Sequence, residues 1–71
     1  MMVTTRARIV RGRMFPNMRV FSEQAEISRF WWRLFESGRG GLPKDLLEKA
    51  ARTLGVKIEE ISDERGFPLG V

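Results

Sequence analysis

The sequence predicts a compact all-α domain of four or five short helices. Two observations carry this expectation. Apolar residues recur at helical spacing, most clearly Leu46, Leu47, Ala50, Ala51 and Leu54, while no stretch alternates apolar and polar residues long enough to form a strand. Residues that start and stop helices fall where these periods begin and end. A chain of 71 residues makes one domain, and a domain of that size buries only about 60% of its unfolded surface. Every helix must therefore contribute its apolar face to the same small core.

Taken in order, Thr4 or Thr5 is placed to cap a helix over residues 5–14, with Ala7, Val10 and Met14 on one face. Gly12 inside it costs about 1 kcal/mol relative to alanine. Pro16 ends the element and disfavours helical geometry at Phe15. Asn17 suits the cap of a second helix over residues 18–25, where Phe21 and Ala25 face the same way and Ser22 permits close approach of a neighbour. Ser28 stands at the start of a third helix over residues 29–37. Trp32 and Phe35 form its inward stripe, Ile27 packs just before it, and Trp31 lies half-buried beside that stripe. Gly38 is placed to stop it.

Residues 39–42 read as a turn. Pro43 suits the first position of a fourth helix over residues 44–54, which carries Asp45–Lys49 and Glu48–Arg52 as i,i+4 pairs and ends at Gly55. Ile58 and Ile61 predict one more short helix over residues 58–62, and residues 63–71 read as a tail. The expected core is Ile27, Trp32, Phe35, Leu46, Leu47, Ala50, Leu54, Val56 and Ile61, helped by Val10 and Phe21.

Charge is unevenly placed. Residues 1–39 hold eight arginines against three glutamates, a sum of +5; residues 40–71 hold five basic and six acidic side chains, a sum of −1. A basic half of this kind points to a polyanionic partner, most simply nucleic acid. No apolar run approaches the roughly 20 residues of a membrane span, and the four arginines within residues 1–14 are unlike a secretory signal. The lack of cysteine fits a reducing compartment.

Enzyme chemistry fails on inventory. There is no histidine and no cysteine, hence no ordinary metal site, and no cofactor is expected. The carboxylates Asp45, Glu48, Glu59, Glu60, Asp63 and Glu64 are placed as helix-surface charges. Gly38-Arg39-Gly40-Gly41 lacks the preceding strand and the terminal lysine and hydroxyl residue of a phosphate-binding loop.

The segments Ile27-Ser28-Arg29, Phe35-Glu36-Ser37-Gly38-Arg39, Leu46-Leu47, Leu54-Gly55-Val56 and Ile58-Glu59-Glu60-Ile61 together give a resemblance. Over residues 5–61 the chain resembles the lambda-repressor-like (Cro, XRE-type) helix-turn-helix domains. The resemblance implies that residues 18–25 and 28–37 are the paired helices, the second entering the DNA major groove. It implies a small sequence-specific transcriptional regulator of phage, plasmid or bacterial type, working in the cytoplasm on double-stranded DNA, often as a homodimer. Phe67, Leu69 and Val71 are candidates for the dimer surface. The chain departs from the family at Met18, where glutamine is frequent, and at Phe30, Trp31 and Leu34, where small or polar residues are usual. It departs again at Glu26, where glycine is usual. A left-handed glutamate is strained, so the turn is expected to differ there.

Stepping 100° per residue from an inward Trp32 places Arg29, Phe30, Arg33, Leu34 and Ser37 on the outward arc. Arg29 and Arg33 are expected to read guanine edges, and Phe30 and Leu34 to touch thymine methyl groups. Arg6, Arg8, Arg11, Asn17, Ser28, Ser37 and Arg39 are the expected phosphate contacts. Phe30 and Leu34 also support a rival expectation: an adaptor, inhibitor or antitoxin-like protein whose exposed apolar face binds a protein partner.

Overall fold

The computed structural model describes residues 4–70 and is all-helical among them. It has four α-helices, α1 (Arg6–Met14), α2 (Met18–Ala25), α3 (Arg29–Glu36) and α4 (Lys44–Leu54), followed by one 3₁₀ turn, Ile58–Glu60. The expected fifth helix is thus reduced to that single turn. No helix among the described residues is long and apolar enough to cross a membrane.

The helix starts differ in how they are capped. Thr5 caps α1 by accepting the Arg8 N–H at 3.2 Å, and Asn17 caps α2 by accepting the Arg19 N–H at 2.9 Å. Ser28 precedes α3 but makes no side-chain cap bond. Pro43 sits at the cap position of α4, one residue before the first helical position expected for it.

The ends of α2, α3 and α4 share one geometry. In each, a left-handed residue follows the helix and its N–H bonds a carbonyl three residues back; the next N–H bonds five residues back. The five-residue bonds are Ile27 to Ser22 at 3.0 Å, Arg39 to Leu34 at 2.9 Å and Val56 to Ala51 at 3.0 Å. The left-handed residue is Gly38 after α3 and Gly55 after α4, but Glu26 (φ +58°) after α2. The turn between α2 and α3 therefore keeps a left-handed residue despite the glutamate, against expectation. Burial of Ile27, the next residue, explains why: the chain must reverse at Glu26 to put that side chain in the core.

The core is an aromatic row crossed by α4. Phe15 meets Phe21 edge-on at 5.5 Å, Phe21 meets Trp32 at 4.7 Å, and Trp32 stacks on Phe35 at 5.3 Å. Leu47, Ala50, Ala51 and Leu54 from α4 close over this row with Ile61, Leu42, Ala7 and Ala25. Val10, Leu46 and Val56, expected inside, are only partly buried, and Met14 is exposed. The pairs Asp45–Lys49 and Glu48–Arg52 do not close into ion pairs; among the described residues the one ion pair is Arg11–Glu36.

Residues 63–70 are not a loose tail. The Asp63 carboxylate accepts the N–H groups of Arg65 and Phe67, both at 2.9 Å, which folds the chain back on itself. The returning segment then donates Leu69 N–H to the Ile61 carbonyl at 3.0 Å and accepts Arg6 N–H on the Leu69 carbonyl at 3.0 Å. It also accepts Leu42 N–H on the Gly66 carbonyl at 2.9 Å. Of the dimer candidates, Phe67 is exposed, Leu69 is half-buried in this closure, and Val71 lies outside the described residues.

Two backbone positions give opposite tests. Glu26→Gly, which makes the α2 end match the other two, should raise stability by up to about 1 kcal/mol and the Tm by a few degrees. Gly66 has φ +87°, and a Cβ there would meet the Leu42 carbonyl oxygen at 2.6 Å. Gly66→Ala should therefore lower stability by about 2 kcal/mol or more. Urea denaturation of both variants checks the signs.

Candidate nucleic-acid interface

The outward face of α3 depends on what its inward face must satisfy. Trp32 and Phe35 are fully buried, and Glu36, on the same arc, is 3% exposed. A buried carboxylate needs partners for both oxygens. Arg11 supplies most of them, donating Nε–H to Oε2 at 2.7 Å and Nη2–H to Oε1 at 2.9 Å. The Trp32 indole N–H also donates to Oε2. The Glu36 backbone carbonyl accepts the Thr5 hydroxyl at 2.7 Å, tying the cap of α1 to the end of α3. Arg11 completes its own set with Nη1–H to the carbonyls of Phe15 at 2.9 Å and Pro16 at 3.3 Å.

These contacts correct one expected phosphate ligand. Arg11 is committed to α3 and to the α1–α2 turn, and its side chain is 11% exposed. The hydrogen bonds it donates to Glu36 raise its pKa above the already high ordinary value, and burial lowers it less than these and the Coulombic attraction of Glu36 raise it. It stays charged at every accessible pH and serves the fold.

With that pair fixed, Arg29, Phe30, Trp31 and Arg33 face solvent. Phe30 is 64% and Trp31 51% exposed, and the rings meet edge-to-face at 5.6 Å. Leu34, expected beside Phe30, is half-buried, with its Cβ close to Gly40. One cleft brings together Arg8, Arg33 and Ser37, floored by Arg11 and Glu36. A second brings together Arg19, Ser28 and Arg29 beside Glu23 and Glu26. Arg6 lies apart from both, in a groove with Ile9, Val10 and Glu60.

The remaining expected phosphate contacts divide by their own hydrogen bonds. Asn17 has its side-chain oxygen occupied by the α2 cap, and Ser37 donates its hydroxyl to the Leu34 carbonyl at 2.9 Å. Ser28 and Arg39 are exposed. Sequence reasoning missed Arg19, whose place beside Arg29 depends on how α2 meets α3. It also missed the role of Glu36, while Trp31, expected half-buried, is 51% exposed. The Glu36 signal was present: an acid about 40° from an inward tryptophan, within a basic half, must find a cation.

Removing either partner leaves the other charge buried and unpaired. Glu36→Leu and Arg11→Ala are each expected to cost about 3–5 kcal/mol, and the double variant less than the sum. Arg8→Ala, one turn away and exposed, should stay within about 0.5 kcal/mol of wild type. Denaturant melts of the four variants measure this, and a loss below about 1 kcal/mol for Arg11→Ala would return Arg11 to the solvent-facing set.

Comparison of the chain with protein-family models, with curated proteins and with solved structures gives no match.

Proposed function

We propose that this protein is a small DNA-binding regulator that lays α3 in the major groove of duplex DNA. The observation that carries the proposal is the pairing of two eight-residue helices through a three-residue turn that opens on left-handed Glu26, with exposed arginines on the second helix. Arg29 and Arg33 are one turn apart and make no ion pair among the described residues. Each presents a planar fork able to pair with guanine O6 and N7. Arg8 beside Arg33 extends the basic face onto α1, and Arg19 stands beside Arg29 on α2 in a cleft shared with Glu23 and Glu26, where phosphates flank a groove-bound helix.

The exposed Phe30–Trp31 pair favours a second reading, in which the same face anchors a protein partner. Charge favours DNA, because α3 exposes arginines and no carboxylate.

Selection of bound sequences from a random duplex pool, followed by titration at several salt concentrations, tests the proposal. Arg29→Ala or Arg33→Ala should cost about 1–3 kcal/mol at a selected site and relax preference at one base position. Arg8→Ala should weaken all sequences alike and lower the salt slope by about one unit. Arg6→Ala, on a separate groove, should do less. Absence of duplex binding at low salt would overturn the proposal.

A further inference from the structure

We propose that the Phe30–Trp31 pair takes an unpaired nucleobase, so that the DNA this protein holds best carries a displaced base beside α3. The inference rests on the reading that α3 meets DNA, and goes beyond it in naming the feature recognised.

Position on the helix is the first ground. Relative to inward Trp32, Arg29 and Arg33 lie about 60° and 100° to one side, while Trp31 lies about 100° to the other and Phe30 lies opposite. The exposed part of α3 is thus two adjacent strips, one basic and one aromatic. A nucleotide has the same division, an anionic link on one side and a planar apolar face on the other.

Ring geometry is the second ground. The two rings meet at 80°, edge to face, which covers one face of one ring. Phe30 is 64% and Trp31 51% exposed, so aromatic surface remains open to solvent beside this contact. In fully paired DNA that surface can meet only base edges, such as a thymine methyl group, because the base faces are stacked on one another. A base out of the stack offers its face, and stacking on an aromatic side chain is tolerant of base identity.

Charge is the third. A protein partner would have to cover the aromatic strip and also supply anions to Arg29 and Arg33. A nucleic-acid strand supplies both in one molecule, its phosphates to the arginines and an unstacked base to the rings.

The test uses the full chain and three labelled DNAs: a paired duplex, the same duplex with one unpaired thymine at its centre, and the single strand. Fluorescence anisotropy should show the bulged duplex bound about tenfold more tightly than the paired one. Tryptophan emission should fall on binding the bulged duplex. Trp31→Phe should keep most of the preference and lose the quench, because Trp32 is fully buried and out of reach of a base. Trp31→Ala should bring the affinity ratio to about one, with a far-UV melt confirming that it is folded. Equal affinity of wild type for paired and bulged duplex, or an unchanged ratio in Trp31→Ala, would overturn this inference and leave the duplex reading standing. A preference for the single strand over both duplexes would overturn the placement of the base beside paired DNA. No binding to either duplex at low salt would overturn the duplex reading and this inference together.

Discussion

One buried carboxylate sets the geometry of the rest. Glu36 closes α3 with its side chain inside the domain, and a carboxylate there is tolerable only with its hydrogen bonds complete. The carboxylate's partners are Arg11 in the middle of α1 and Trp32 one turn back on α3, while the Glu36 backbone carbonyl accepts the Thr5 hydroxyl at the start of α1. Arg11 then reaches the Phe15 and Pro16 carbonyls, so the turn into α2 is held by the same cation. A hydrophobic core accepts several near-equivalent packings, whereas a buried fork-to-fork pair accepts few. The pair thus sets the angle of α1 against α3 and the rotation of α3 about its own axis.

Closure of the chain adds a second constraint. The segment after Ser62 returns past Ile61 to the first residues of α1, with isolated antiparallel bridges at Ser62–Pro68 and Thr5–Gly70. Thr5 is therefore held twice, by its backbone against this segment and by its hydroxyl on Glu36. In a domain with so little interior, fixing Thr5 against Gly70 limits fraying of α1, whose only fully buried side chain is Ala7. The apolar face of α1 is too weak to hold it in place; the polar contacts at Thr5 and Arg11 do so.

The four α-helices were legible in the sequence to within a residue at each end, because period, cap and stop are local signals. What local signals do not contain is a partner 25 positions away. Arg11 looked like its neighbours Arg6, Arg8 and Arg13, and only the packing of α1 on α3 separates it from them. The closure of residues 63–70 was hidden for the same reason: Asp63 and Gly66 make a tight turn, but its acceptors and donors sit on Ile61, Leu42 and Arg6. At Glu26 the local argument was sound about strain and wrong about outcome, since burying Ile27 outweighs roughly 1–2 kcal/mol of left-handed cost. Within the candidate site, exposure of Arg29, Phe30 and Arg33 followed from the wheel, whereas the clefts that join Arg8 to Arg33 and Arg19 to Arg29 are tertiary.

Trp31 and Trp32 show how the fold produces its outer surface. They are the same residue at adjacent positions, yet one is half in solvent and the other wholly inside. Side-chain chemistry does not choose between them, and hydrophobicity alone would favour burying both. The choice follows from the residue four positions on. Trp32 is one turn from Glu36 and can give its indole N–H to that carboxylate, while Trp31 is one turn from Phe35, which offers no acceptor. A rotation that buried Trp31 instead would leave an indole N–H without a partner and carry Glu36 away from Arg11, losing more than the added apolar burial returns. The exposed aromatic strip is thus fixed by the polar interior beneath it. The arginines beside it are fixed by the same rotation, so the basic and aromatic strips on α3 keep a constant relation to each other.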